Sequence, residues 1–280
     1  MLSKPADIRL IAVDLDGTLL GSDGEVVPEN KEAIKRAKAA GIRVVICTGR
    51  PLRSMTHLIE ELDFTDANDL VCVYNGGLIQ YANSGEILHQ ETLNKKDVQI
   101  LKKEFDRLNM PIVLVDLNVV YEPAYPNNRP SIYYLDKKVN PPKGWLEFHA
   151  IDVDEMPDDW VINKLAVARP QEEVDAIVDQ IDPTLHEKYN IFKTQDYLLE
   201  AVPKNIDKGF AISYLQEHFG LANEQVMAIG DEENDLPLVQ AAGFGVAMGN
   251  AIDKVKTAAQ FVTKTNDEAG VAYAIDYVLS

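Results

Sequence analysis

The sequence predicts an α/β protein, with a doubly wound, Rossmann-like parallel sheet interrupted by a smaller inserted α/β domain. Three observations predict it. At both ends of the chain, short apolar runs alternate with single helix-like segments, the rhythm of a parallel sheet with crossover helices. The middle abandons that rhythm for hairpin turns and a stretch rich in Pro, Tyr and Asn. The length of 280 residues also exceeds the roughly 100–200 residues of one domain. The expected core is residues 1–82 and 205–280, and the expected insert is residues 83–204.

The elements follow in order. Residues 8–13 are nearly all apolar, as suits a parallel strand covered on both faces. A helix is expected over residues 28–40, with Pro28 in its first turn and Gly41 just past its end. Residues 43–47 and 70–74 are the next strands, with a helix over 52–62 between them. Asn75-Gly76-Gly77 and Asn83-Ser84-Gly85 are hairpin turn signals. Within the insert, residues 94–108 place Val98, Leu101, Phe105 and Leu108 on one helical face. Residues 111–143 have hairpin character; 160–168 and 197–202 are expected strands, and 171–181 a helix. Toward the C-terminus, helices are expected at 208–219, 236–242, 251–259 and up to about 278. Strands are expected at 226–229, 245–248 and 261–263.

Composition bounds the function. With 46% hydrophobic residues the chain can bury a sizeable core. Its start has no signal-peptide apolar region, and no run approaches the ~18 apolar residues of a membrane span. Cys47 and Cys72, both in apolar runs, fit small core side chains in a reducing compartment. The expectation is a soluble, cytoplasmic protein. The net charge of −18, from 45 acidic and 27 basic residues, argues against a nucleic-acid partner. It also repels a phosphorylated metabolite at long range, so a phosphate site must carry its own local positive charge. The histidines His57, His89, His149, His186 and His218 have no metal-ligand or triad spacing. Oligomeric state is not legible.

Ligands of open α/β sheets bind outside the carboxyl ends of the strands. The first strand is followed there by Asp14-Leu15-Asp16-Gly17-Thr18 and the second by Thr48-Gly49-Arg50. The strand at 226–229 is followed by Gly230-Asp231-Glu232-Glu233-Asn234-Asp235, and Lys208 opens a helix just after the insert. Singly, each has a plain reading: Asp and Thr-Gly form turns, and a helix-start Lys is solvated. Together, Asp14, Asp16, Asp231 and Asp235 would repel one another strongly unless a cation neutralised them. Hard oxygen ligands of this kind suit Mg²⁺.

The motifs DLDGTL, CTGR, the Lys of DKG, and GDEENDLPLV resemble, in order, the four motifs of haloacid dehalogenase-like hydrolases. With its insert between the second and third motifs, the chain resembles the Cof-type branch with a C2-class cap. It is similar over essentially its full length to YidA-type sugar phosphatases, for which MAIGDEENDLPLV…AGFGVAMGNA is typical. The resemblance implies a Mg²⁺-dependent hydrolysis of small phosphate monoesters, most often sugar phosphates, through an aspartyl-phosphate. It implies Asp14 as nucleophile and Asp16 as general acid and base. Asp14, the main-chain carbonyl of Asp16, and Asp231 would hold Mg²⁺, with Asp235 supporting the metal's water shell. Thr48, Lys208, Asn234 and main-chain N–H groups near Leu15 and Gly49 would hold phosphate; Arg50 is either an aid to them or a structural ion-pair partner. The insert should close over the strand ends and set specificity, with Asn163, Lys164 and the polar aromatics at 121–134 as candidate substrate contacts. Lys164 has the plain alternative of a solvated side chain. A phosphomutase of phosphomannomutase type shares the motifs and is the alternative. A phospho-accepting signalling receiver is disfavoured by the order Asp, Thr, Lys, Asp.

Overall fold

A computed structural model of the chain describes Pro5, residues 7–141 and residues 145–280. The end of the expected hairpin region at 111–143 lies outside the described residues, as do the side chains of Tyr133 and Tyr134. Packing divides the chain into two bodies. One comprises the chain up to Gly49, Leu58–His89 and Asp207–Ser280; the other comprises Arg50–His57 and Gln90–Ile206.

The first body is built on a sheet of eight strands among the described residues. From edge to edge they are Phe261–Val262, Phe244–Ala247, Val226–Gly230, Leu10–Val13, Arg43–Cys47, Leu70–Val73, Leu78–Tyr81 and Ile87–Gln90. The first six pair in parallel, and Leu78–Tyr81 pairs antiparallel with Leu70–Val73. Leu10, Ile11, Ala12 and Val13 are all buried, as the unbroken apolar run requires. Cys47 and Cys72 sit opposite each other in register as buried free thiols.

Local signals shape the helices around this sheet. Pro28–Ala39 starts on its proline and buries Ala33, Ile34 and Ala37. Within it, Asn30 donates to the Leu19 carbonyl and accepts from the Ala272 amide, tying the helix Gly270–Leu279 to the first loop. Lys208–Phe219 is capped by Asp207, which accepts from the Phe210 amide at 2.7 Å, and it ends at Gly220 in the left-handed region.

The insert begins later than the sequence suggests. The turn at Asn83–Gly85 predicts a start at residue 83, but both strands flanking that turn extend the first sheet. A parallel sheet readily carries an antiparallel edge, so a hairpin there need not signal a new domain. The division falls at Gln90 and Ile206 instead of at 83 and 204. The expected helix at 52–62 is a tight turn, Leu52–Met55, followed by the helix Thr56–Glu61.

Among the described residues the second body has a six-stranded sheet in the order Tyr189–Gln195, Leu198–Pro203, Lys164–Ala168, Val113–Val115, Val119–Pro123 and Glu147–Ile151. Leu114, Leu165, Val167, Leu199 and Ala201 share one core with Val98, Leu101 and Phe105 of the helix Lys95–Arg107, and with Val174 and Ile177 of Gln171–Val178. A capping box begins the first of these helices: Asn94 accepts from the Asp97 amide and Asp97 from the Asn94 amide. Strand alternation turns Lys164 away from Leu165, and there it forms a buried ion pair with Glu200.

Three elements between residues 90 and 206 also differ from expectation. The strand expected at 160–168 covers only Lys164–Ala168, because Ile162 forms an isolated bridge with Leu93. Tyr189–Gln195 is a strand without a sequence signal; most of its residues are only partly buried, so its polar and apolar residues do not alternate cleanly. Ile132–Val139 is a helix within the Pro-, Tyr- and Asn-rich stretch read as hairpin. No helix among the described residues is long and apolar enough to cross a membrane.

Candidate active site

Three adjacent parallel strands place the first groups. Val13 is in register with Ile229 on one side and Ile46 on the other. Asp14, one residue past Val13, and Thr48 and Asp231, each two residues past their register partners, therefore emerge together at the carboxyl edge. The Asp14 amide donates to the Ile229 carbonyl at 3.0 Å and the Thr48 amide to the Cys72 carbonyl at 2.8 Å, which continues the ladder to the edge itself. Beyond Asp14 the chain makes a wide turn over Leu15–Leu19, closed by the Leu20 amide on the Leu15 carbonyl. Gly17 has φ +74° in that turn, and a Cβ there would lie 2.3 Å from Asp231 Oδ2. Only glycine fits both the backbone and the carboxylate beside it. Asp16 is exposed on the turn, while Leu15 and Thr18 are buried.

Lys208 supplies the local cation. Its ammonium donates to Asp14 Oδ1 at 2.6 Å and to Asp235 Oδ1 at 2.5 Å, and its side chain is only 1% exposed. The other oxygen of Asp235 accepts from the Asp231 and Glu232 amides, both at 3.0 Å. Asp235 thus ties the lysine to the loop that carries Asp231. Thr18 donates to Asp231 Oδ1 at 2.7 Å. Asn250 donates to the Gly17 carbonyl at 2.8 Å and accepts from the Asn266 amide, holding the first turn against the loop after Ala247.

Electrostatics follow from burial. Asp14 is raised well above the usual carboxylate range by desolvation, then by Asp235, with Lys208 pulling the other way. Burial and Asp235 push Asp231 up to about 7 against the lowering effect of the Thr18 hydroxyl. Burial alone would lower Lys208, but Asp14 and Asp235 reverse this and hold it above its ordinary value, so it keeps its proton. Oxygens of Asp14, Asp231 and Asp235 lie within 4.8 Å of one another. Three carboxylates against one ammonium leave two excess negative charges when all are ionised. An all-oxygen donor set with that excess fits a divalent hard cation, and without one the site must retain protons.

Asp14, Lys208, Asp231 and Asp235 therefore meet in one cluster. Asp16 contributes no side-chain oxygen to that acidic group, and Asp235 stands in it instead. Asn234 reaches toward the Thr48 loop, donating to Asn75 Oδ1 at 3.1 Å. Gly49 abuts the same Asn75 side chain. Arg50 belongs to the second body. There Lys164 is buried against Glu200, so its reading as a solvated lysine does not hold. Asn163 is fully buried, with neither side-chain polar atom hydrogen-bonded.

Thr18, Asn75 and Asn250 are polar groups of the site that sequence reasoning passed over. Thr18 lies inside DLDGTL and Asn250 inside VAMGN, so the motifs contained them. Asn75 stands before two glycines, where the sequence signals only a turn.

The profile of the haloacid dehalogenase-like hydrolases matches residues 11–275, and the chain belongs to that family. YxeH of Bacillus subtilis strain 168 is 34% identical over 269 residues, covering 95% of this chain and 97% of that protein. From the same organism, 5-amino-6-(5-phospho-D-ribitylamino)uracil phosphatase YwtE is 31% identical over 306 residues, covering 98% and 99%. Among solved structures, a haloacid dehalogenase-like hydrolase from Bacteroides thetaiotaomicron superimposes with a TM-score of 0.81 at 32% identity, covering 97% of this chain and 100% of that one. The family expected from the motifs and the fold class expected from the alternating segments both hold.

Proposed function

We propose that the protein is a Mg²⁺-dependent phosphatase that hydrolyses small phosphate monoesters through an aspartyl-phosphate on Asp14. One observation carries this reading: a single buried lysine joins the Asp14 carboxylate to Asp235 beside Asp231, at the ends of adjacent strands. Asp14, the main-chain carbonyl of Asp16, and Asp231 are the proposed metal ligands. Bound there, Mg²⁺ would offset the repulsion between the substrate phosphate and the carboxylates.

An Asp14 oxygen attacks phosphorus in line with the leaving oxygen; the new O–P bond forms as the ester P–O bond breaks. Asp16, exposed on the turn two residues on, gives its proton to the departing alkoxide. The same carboxylate then takes a proton from water, whose oxygen attacks the phosphorus of the aspartyl-phosphate. Asp14 is restored and inorganic phosphate released. Lys208 holds Asp14 in place and adds positive charge for the phosphoryl oxygens, with Thr48, Asn234 and main-chain N–H groups near Leu15 and Gly49 as further donors.

The proposed substrates carry phosphate on a polyhydroxylated carbon chain. The resemblance to sugar phosphatases supports this class, as does the phosphorylated ribityl chain in the name of YwtE. The second body, with Asn163 and the tyrosines Tyr121 and Tyr125, is assigned the choice among them. A panel of phosphorylated metabolites, assayed for phosphate release with Mg²⁺ and with EDTA, tests the proposal. Metal-dependent turnover concentrated on phosphorylated polyols is expected. Turnover unaffected by exhaustive chelation would overturn the metal assignment, and no release from any monoester would overturn the function.

A further inference from the structure

We infer that Asn75 is a positioning residue for phosphate binding, acting by fixing the Asn234 carboxamide and the Thr48–Gly49 backbone. The inference rests on the phosphate-contacting role proposed above for Asn234.

Asn75 follows the strand Leu70–Val73 and is 1% exposed. It sits among three successive left-handed residues, Tyr74 at φ +53°, Asn75 at +57° and Gly76 at +97°. For a buried tyrosine that backbone is unfavourable, and such conformations persist where surrounding structure holds them. Several holding contacts run to loops of the site. The Asn75 amide donates to the Thr48 carbonyl at 3.0 Å. A Cβ on Gly49 would lie 3.1 Å from both Nδ2 and Oδ1 of Asn75, so the side chain packs directly on that backbone. A Cβ on Gly76 would fall 2.5 Å from the Asp207 carbonyl, which presses the turn against the residue that caps the Lys208 helix.

The contact to Asn234 gives this packing a chemical consequence. Asn75 Oδ1 accepts one of the two N–H groups of Asn234 Nδ2. That acceptor turns the amino end of the Asn234 carboxamide, not its oxygen, toward the Thr48 loop. The second N–H is then oriented to donate to a phosphate oxygen, where a carbonyl would repel it. Asn75 itself need touch neither the phosphate nor the reacting atoms.

Binding of inorganic phosphate to the Mg²⁺-loaded full-length protein, measured by calorimetry, tests this without relying on turnover. Asn75→Gly suits the left-handed backbone and removes the side chain. It should weaken phosphate binding about tenfold, the scale of one hydrogen bond, and raise KM for p-nitrophenyl phosphate with kcat changed less than about threefold. Asn234→Ala should weaken binding by a similar factor, and the double variant by no more than about twofold beyond either single one. Additive losses would overturn the inference, as would a lower kcat with unchanged phosphate affinity, the pattern of a purely structural residue. If Asn75→Gly does not fold, Asn75→Asp keeps an oxygen acceptor. In that background Asn234→Ala should still weaken phosphate binding about tenfold, and no effect there would overturn the inference. Should the wild type bind phosphate in this pattern yet hydrolyse no monoester, the proposed function fails and the inference stands.

Discussion

Replacing Lys208 with Met would keep the aliphatic stem and delete the ammonium. That ammonium sits 2.6 Å from Asp14 Oδ1 and 2.5 Å from Asp235 Oδ1, out of contact with solvent. Where the carboxylate is ionised, such a contact carries roughly 6 kcal/mol of attraction at an effective dielectric near 20. Desolvation offsets much of it, and breaking a buried pair by removing one partner typically costs about 3–5 kcal/mol. Asp14 and Asp235 raise the folded-state pKa of Lys208 above its ordinary 10.5, against the pull of burial. Its contribution is therefore fully present below about 10.5 and is lost only as pH rises through the folded value. In the variant, Asp14 keeps the influences that raise it, burial first and then Asp235, and loses the lowering one from Lys208. Its folded form holds a proton that the unfolded chain releases above its ordinary pKa, so stability must fall as pH rises. Urea unfolding in EDTA at pH 5 and pH 8 reads both effects. The expected deficit at pH 8 is about 3–5 kcal/mol, with a clearly smaller deficit at pH 5. A deficit under about 1 kcal/mol at pH 8, or one equal at both pH values, would refute the buried-cation reasoning.

Asp231, pushed up to about 7 by burial and Asp235, must lose its proton to bind a metal. Its protonated form prevails below that value, so the Mg²⁺ concentration for half-activation should fall about tenfold between pH 6 and pH 8, and a flat profile would contradict this. Gly17→Ala would drive a methyl group toward Asp231 Oδ2 at a residue with φ +74°, so half-activation by Mg²⁺ should require at least about tenfold more metal. An unchanged requirement would show that the turn can yield without disturbing the carboxylate. Exchanging residues 90–206 for the matching segment of a relative should reorder kcat/KM among sugar phosphates while inhibition by EDTA persists. Retention of the parental order would remove the second body from substrate choice.

The core sheet was legible because its strands are buried on both faces and read as unbroken apolar runs, Leu10–Val13 above all. The cluster of Asp14, Lys208, Asp231 and Asp235 was legible for a related reason: each follows or closely adjoins a strand or helix boundary that the apolar pattern locates. Asn75 was not, because an asparagine before two glycines has an adequate explanation as a turn former, and its contacts to Gly49 and Asn234 join segments far apart in sequence. Lys164, a candidate substrate contact with a solvated side chain as its plain alternative, loses that alternative. A lysine in a strand suggests solvent, and only the register with the neighbouring strand brings Glu200 to it. The strand Tyr189–Gln195 lacked a signal because its partly buried faces impose no alternation.

The covalent role of Asp14 is tested most directly by trapping the phosphoenzyme. Wild-type protein, quenched in acid within its first turnover of a phosphate monoester, would be treated with borohydride, which reduces an aspartyl-phosphate to homoserine. Mass spectrometry of the peptide spanning residues 10–20 then locates the modification. Homoserine at position 14, with no such product and less than about a hundredth of wild-type turnover in Asp14→Asn, is the expected result. Phosphate release without any protein-bound phosphoryl group, or modification at another residue, would contradict the account.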